Sequence, residues 1–336
     1  MNKFVRVERL DDGRLKFAFT FSDALYPVHV YMHTDLQKIF QKKGTLLISL
    51  TQPGHVITDD PSPDQRLYFR FQTRDQKVFI RAERRLNLEG PKNFRDLGGY
   101  QTRDGRITRW GCLYRSDQPE ILSTRDQNYL KNIGLNIVVD LRKSLESKNS
   151  PSSPIDGITF LHRSVFPDQP FDPFSKLIED ESYPWKTLKE TYLEIIHDEN
   201  AQQVYRELFD LAVSAPERPM MFHCASGKDR TGLGAAFLLY ALGVPEATIL
   251  HDYMLSQFYL KEKNQRLIRQ LKNKWKNPIL FPLIEDMFSL REDYLLAAFH
   301  SIRHHYGSVD DYLEKKIGLT SDKKARLQQK LLFCPQ

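Results

Sequence analysis

Residues 223–232 read HCASGKDRTG and lie between two apolar runs. A cysteine directly follows a histidine, and a glycine, a lysine, an aspartate and an arginine follow within six positions. Such a density of polar side chains is costly in a core, so the stretch is best understood by what it can bind. Cys224 ends the strand-like run RPMMFHC. Arg230 opens the apolar helical run RTGLGAAFLLYALG, with Gly243 as its stop and Pro245 beyond. A short strand-to-helix loop turns backbone N–H groups inward, and the helix adds the partial positive charge of its first turn. Together they make a concave anion site. Gly227 lets the backbone wrap without a Cβ in the cradle, and Arg230 offers a planar fork for two oxygens of a phosphate.

A cysteine at the base of such a cradle is favoured as the thiolate and becomes a nucleophile aimed at phosphorus. The departing ester oxygen then needs a proton, and Asp229, inside the loop, is the closest candidate donor. Ala225, Ser226, Gly227, Lys228 and Thr231 complete the phosphate-binding loop. Ser226 or Thr231 can offer a hydroxyl to the sulfur as it leaves phosphorus. His223 is read as ordering the loop rather than as a base. Lys228 has two readings, contact with the phosphate or a second anionic group, and a solvent-exposed side chain.

Three further motifs precede the loop in order: NFRDLGGY at 93–100, LYRSDQ at 113–118 and VVDLR at 138–142, with Glu146 shortly after. With HCASGKDRTG they form a set that resembles the Cys-based protein tyrosine and dual-specificity phosphatases. More narrowly, it is similar to the bacterial family related to the secreted mycobacterial and listerial tyrosine phosphatases. The resemblance covers roughly residues 85–335. It implies the Cys-based phosphatase fold, a phosphocysteine intermediate on Cys224, Arg230 on the phosphate, and neither metal nor other cofactor. The implied substrate is a phosphotyrosine protein, with phosphoserine, phosphothreonine or phosphoinositide esters often tolerated. The proton donor stays open. Lys228-Asp229 resembles the subgroup that places its acid within the phosphate loop, as lipid-directed myotubularins do. Asp168 in VFPDQP resembles the Trp-Pro-Asp acid of a separate mobile loop. The order of preference is Asp229, then Asp140, then Asp168. A phosphate-recognition module without turnover is the rival reading, and the intact Cys, Asp and Arg argue against it.

Other residues carry a structural reading beside a functional one. Arg95 and Asp96 either pair to pin the start of the catalytic region, with Gly98 and Gly99 in a tight turn, or take a direct part in catalysis. Asp140 and Arg142 leave a parallel strand at its C-terminal end, the edge where α/β sheets hold ligands. They either form a salt bridge that supports the loop or touch substrate. Phe171, Tyr183 and Trp185 either line a substrate mouth or anchor their own loop. Cys112 and Cys334 are read as small buried hydrophobes, and three widely spaced cysteines suggest neither a disulfide framework nor a zinc site.

The elements that must position these groups are visible in the patterning. Residues 1–85 hold short runs that alternate apolar with polar: FVRVERL, LKFAFTF, VHVYMH, TLLISLT, RLYFRFQT and KVFIRAERRL. They predict a small β-sandwich accessory domain. The helical piece TDLQKIFQKKG interrupts them, with Thr34 as cap and Gly44 as stop. From 86 to 336 strand and helix signals alternate. Ser123 caps a helix closed by Gly134, LNIVVDL reads as a buried parallel strand, and LKETYLEIIHDENAQQVYRELFDLAVSA is strongly helical. Beyond Pro245 the chain is helical almost to its end. The expected fold is therefore α/β, a mostly parallel sheet flanked by helices with a helical cap, preceded by the β-sandwich.

Composition sets the outer bounds. The 336 residues are 40% hydrophobic and 27% charged, as in soluble globular proteins. The net charge is +6, with basic runs such as Lys272-Asn273-Lys274-Trp275-Lys276 on solvated helix faces. No nucleic-acid partner is expected. A basic surface suits phosphorylated proteins or contact with an anionic lipid surface. No apolar run reaches the length of a membrane span, and MNKFVRVERLDDG has no apolar signal core. A cytoplasmic protein is expected from the sequence as written, or an exported one if a signal peptide has been removed.

Overall fold

The alternating runs of the first 85 residues become β1 (Phe4–Arg9), β2 (Leu15–Thr20), β3 (Val28–His33), β4 (Thr45–Leu50), β5 (Gly54–Thr58), β6 (Tyr68–Gln72) and β7 (Val78–Ala82). The computed structural model describes residues 4–10, 12–20, 23–166, 187–214, 219–276, 278 and 281–334. The strands form two antiparallel sheets, ordered β1-β2-β5 and β4-β3-β6-β7. Alternation places Val5, Val7, Leu15, Phe17, Phe19, Val28, Val30, Phe69 and Phe71 in one shared core. β5 was not expected. It is an edge strand whose side chains are mostly exposed, so no buried face left an apolar alternation to read. The helix α1 (Leu36–Phe40) is shorter than predicted. Asp35, not Thr34, caps it by accepting from Gln37 N at 2.8 Å, and the chain leaves the helix at Gln41, before Gly44.

From residue 95 onward the elements alternate: β8 (Arg95–Asp96), β9 (Ile107–Thr108), β10 (Leu113–Ser116), α2 (Thr124–Asn132), β11 (Ile137–Asp140), α3 (Ser144–Asn149) and β12 (Thr159–His162). There follow α4 (Thr187–His197), α5 (Glu199–Ser214), β13 (Met220–His223), α6 (Arg230–Ala241) and α7 (Glu246–Trp275). The chain ends with α8 (Phe281–Phe288), α9 (Glu292–Tyr306), α10 (Val309–Lys315), α11 (Ser321–Leu331) and β14 (Leu332–Phe333). The central sheet has the order β12-β11-β13-β10-β8. Its first four strands are parallel and β8 is antiparallel to β10, so the class is α/β.

Local signals set several of these boundaries. Ser123 accepts from Asp126 N at 3.2 Å to start α2, and Gly134, at φ +73, follows its end as expected. The strongly helical run that begins at Leu188 is divided between α4 and α5, because Asp198 Oδ1 accepts from Ala201 N at 2.7 Å and starts α5 afresh. α6 is apolar all round and buried, with Leu233, Phe237 and Leu238 in the main core beside Phe222, Phe299 and Tyr312. Register brings Ser116, His223 and Asp140 side by side at the C-terminal ends of β10, β13 and β11, so the loops that follow these strands converge.

Candidate active site

The loop from Cys224 to Asp229 joins β13 to α6 at that converging edge. Cys224 lies at its floor, 2% exposed. The loop carbonyls are tied outward. Ala225 O accepts from Gln118 N at 3.1 Å, Ser226 O and Gly227 O accept from Asn93 Nδ2 at 3.1 and 3.3 Å, and Gly227 O also accepts from Arg115 Nη2 at 2.7 Å. Among the described residues no backbone N–H from Ala225 to Arg230 has a protein acceptor. Carbonyls fixed on one side leave the N–H groups to the other, where the start of α6 adds its positive end. Gly227 is obligatory, with φ +64 and an ideal Cβ position 2.1 Å from Ser116 O.

Arg230 opens α6, and its guanidinium is held in a two-pronged ion pair. Nη1 donates to Glu146 Oε2 at 2.6 Å and Nη2 to Oε1 at 3.0 Å, while the ring of Phe166 lies 5.6 Å from Cζ. Three of its five N–H groups remain beyond these two bonds. Burial alone would lower the guanidinium, but Cys224 and Glu146 beside it outweigh that and hold it above its ordinary value. Burial pushes the Glu146 carboxyl up, yet the bond from Arg230 prevails and leaves it below its ordinary range.

Asp229 is in the N-cap position of α6 but makes no capping bond with its side chain. Instead Oδ1 accepts from the Tyr192 hydroxyl at 2.8 Å, and the Tyr253 hydroxyl is 2.6 Å from that of Tyr192. Burial and the neighbouring Asp229 drive the Tyr192 hydroxyl well above its ordinary value, so it stays a donor. The Asp229 side chain is 24% exposed, open enough to meet a substrate.

The remaining predicted residues are placed as follows. His223 is fully buried, with Nδ1 3.1 Å from Cys224 O, and burial lowers its proton affinity, which fits a neutral ring that orders the loop. The Thr231 hydroxyl is buried and has no partner among the described residues, whereas Ser226 is half-buried. Lys228 is neither exposed nor turned to the cradle: its ammonium donates to Met287 O and Ser289 O, both at 2.7 Å. Asp140 is gripped by Arg142, with Nε–Oδ1 at 2.9 Å and Nη2–Oδ2 at 2.6 Å. Burial works against its charge, but these bonds bring its carboxyl down to about 2, so it holds no proton to give at neutral pH. The pair is held at the C-terminal end of β11, where Asp140 Oδ1 is 3.9 Å from His223 Nδ1. Asp168, Phe171, Tyr183 and Trp185 lie outside the described residues.

Arg95 and Asp96 do not pair. Neighbours in a strand point to opposite faces, so each meets a different partner. Arg95 Nη2 donates to Asp252 O at 2.9 Å and faces Asp252 Oδ2 at 3.6 Å, and burial brings its guanidinium down to about 10. Asp96 Oδ2 accepts from Arg66 Nη2 at 3.0 Å, both side chains being buried. Arg66 belongs to the segment just before β6, so this bond ties the first sheets to the central one. Cys112 is half-buried and held as a thiol, pushed up to about 12 by burial, whereas Cys334, against expectation, is exposed one residue beyond the short strand β14.

Sequence reasoning missed five residues that shape the loop: Asn93, Arg115, Tyr192, Asp252 and Ser256. Arg115 Nη1 donates to Asp252 Oδ2 at 2.7 Å, and Ser256 Oγ is 3.3 Å from both Arg95 and Arg115. Asn93 and Arg115 stood inside quoted motifs, and that context was the available signal. Asp252 and Ser256 lie within a long helix with nothing local to mark them. Among the described residues no three His, Cys, Asp or Glu side chains gather at metal-holding distances, and no helix is long and apolar enough to cross a membrane.

Comparison with known proteins adds an independent line. Residues 86–333 match a family model described as the tyrosine phosphatase family. A Cupriavidus necator protein named as a tyrosine-protein phosphatase is 33% identical over 241 residues, 70% of this chain and 84% of that one. The triple specificity protein phosphatase PtpB of Mycobacterium tuberculosis is 26% identical over 259 residues, 67% of this chain and 91% of that one. A Nostoc commune tyrosine-protein phosphatase is 30% identical over 142 residues, 42% of this chain and 46% of its own.

Proposed function

The chain belongs to the tyrosine phosphatase family, and on that premise we propose that it hydrolyses phosphotyrosine in proteins through a phosphocysteine on Cys224. The Cys224 thiolate attacks phosphorus as the bond from phosphorus to the ester oxygen breaks. Asp229 gives its proton to that oxygen, which leaves as the neutral alcohol. Asp229, now a carboxylate, takes a proton from water as the water oxygen attacks the phosphocysteine. The phosphorus–sulfur bond breaks and phosphate departs. The loop N–H groups and Arg230 hold the equatorial oxygens throughout, so the protein contributes chiefly position and charge.

One observation carries this reading: a buried cysteine at the base of six backbone N–H groups that have no acceptor among the described residues. Asp229 is preferred as the acid because its carboxyl is not engaged as a cap and is partly open, whereas Asp140 is bound to Arg142. Phosphoserine, phosphothreonine and phosphoinositide esters form the second substrate class; the name of the mycobacterial relative, a triple specificity protein phosphatase, supports a range wider than one ester type. We further read the finer fold as the Cys-based phosphatase fold over 86–336 with an accessory β domain over 1–85. The matched region beginning at 86 and the separate core of the first sheets support that division.

The test is a turnover panel of phosphotyrosine, phosphoserine and phosphothreonine peptides and several phosphoinositides, run with Cys224→Ser and Asp229→Ala. Cys224→Ser should abolish turnover and still bind phosphopeptide. Asp229→Ala should lose about 10²–10⁴-fold on esters with a basic leaving group. Near-parental rates for Asp229→Ala on those esters would refute the acid assignment.

A further inference from the structure

The lysine of the phosphate loop directs its charge away from the cradle. Lys228 is 6% exposed in its side chain, and Nζ donates to Met287 O and Ser289 O, each at 2.7 Å. The carbonyl between them, on Phe288, accepts from Asn264 Nδ2 of α7 at 2.9 Å. Three consecutive carbonyls at the end of α8 are thus captured, two by the phosphate loop and one by the long helix. A helix end leaves such carbonyls without intrahelical partners and carries partial negative charge, so a cation is favoured there twice over.

The same turn leads back to Asp229. Ser289 Oγ donates to Asp286 Oδ1 at 3.0 Å, and the Tyr294 hydroxyl of α9 is 3.4 Å from Asp286 Oδ2. The Tyr294 ring lies 5.7 Å from the ring of Tyr192, whose hydroxyl holds Asp229 Oδ1. Lys228 Nζ is itself 3.8 Å from Asp229 Oδ2.

We propose that Lys228 is a positioning residue that clamps the α8–α9 turn onto the phosphate loop and, through Tyr294 and Tyr192, fixes the carboxyl of Asp229. The proposal rests on reading Asp229 as the proton donor. Lys228 takes no part in bond making, and its removal leaves Cys224, Arg230 and the N–H cradle in place.

The experiment compares Lys228→Met, which keeps the stem and removes the donors, with Asn264→Ala, which releases the same turn from its other side. Amide hydrogen exchange across residues 285–291 reads the clamp, inhibition by inorganic phosphate reads the cradle, and turnover of aryl phosphates with graded leaving groups reads the proton donor. Both variants should exchange faster at the turn. Both should lose about tenfold to a hundredfold in kcat on the most basic leaving groups, with KM and phosphate inhibition near parental. Lys228→Arg, which keeps the donors, should recover most of that loss. If Lys228→Met weakens phosphate inhibition about tenfold while Asn264→Ala does not, the lysine is a phosphate ligand and the clamp is refuted. Parental exchange at the turn in Lys228→Met refutes it equally. Asp229→Asn separates the two ideas, because an unaltered leaving-group dependence there removes the acid assignment while the exchange data still decide the clamp.

Discussion

Glu146, in the first turn of α3, grips the guanidinium of Arg230, with both carboxylate oxygens engaged at 2.6 and 3.0 Å. The residue that would hold the phosphate is therefore aimed by a partner 84 positions away. Glu146→Gln keeps the volume and loses the charge. Its kcat/KM on a phosphotyrosine peptide should fall about tenfold to a hundredfold while the melting temperature barely moves. Parental kinetics would mean that other groups aim Arg230.

Gly227→Ala places a methyl group against Ser116 O at a backbone angle of φ +64. Both effects oppose the native loop. We expect a loss of about 1–3 kcal/mol in urea unfolding, together with loss of phosphate binding by calorimetric titration. A variant with parental stability and affinity would show that the loop has room the geometry denies.

Acid stability should depend on Asp140. Its carboxyl stands at about 2 when folded, below the ordinary value of 3.8. A depressed carboxylate contributes stability that is present above its unfolded value and lost as the pH falls through the folded one. The contribution is about 2 kcal/mol, fading between about pH 4 and pH 2. Asp140→Asn also leaves buried Arg142 without its anion, at a cost of about 3–5 kcal/mol at neutral pH. Urea unfolding at pH 7, 4 and 3 should show the gap between parent and variant narrowing towards acid. A gap independent of pH would contradict the assignment.

Arg66→Leu tests the tie between the first sheets and the central one. Asp96 is buried, and burial already pushes its carboxyl up. Without Arg66 it loses its cation, and stability should fall by about 3–5 kcal/mol. The kcat of the folded protein should stay parental, since Arg66 touches no residue of the phosphate loop. A fall in kcat at full folding would show that the first sheets act on catalysis.

The parts of the site that could be read from the sequence are those built from neighbours along the chain. The strand–loop–helix arrangement, the placement of Cys224 and Arg230 and the need for Gly227 all follow from ten consecutive residues. Tyr192 and Asp229 are 37 residues apart, and Arg95 and Ser256 are 161 apart. Contacts of that kind arise from packing and leave no local periodicity. Arg95 and Asp96 were misread for the opposite reason: adjacency in sequence was taken for adjacency in space, which a strand forbids. β5 escaped notice because an edge strand with exposed side chains has no apolar face to display.

The opposed faces of β8 have a consequence for assembly. Were that short strand to pair one position out of step, Asp96 would turn towards Asp252 and Arg95 towards Arg66. Arg66 would then face a second buried guanidinium in place of its carboxylate, and Asp252 would keep Arg115 but exchange Arg95 for a second carboxylate, away from water, where charges act most strongly. The alignment that joins the first sheets to the catalytic edge is thus guarded by parity: the wrong one breaks two buried ion pairs at once.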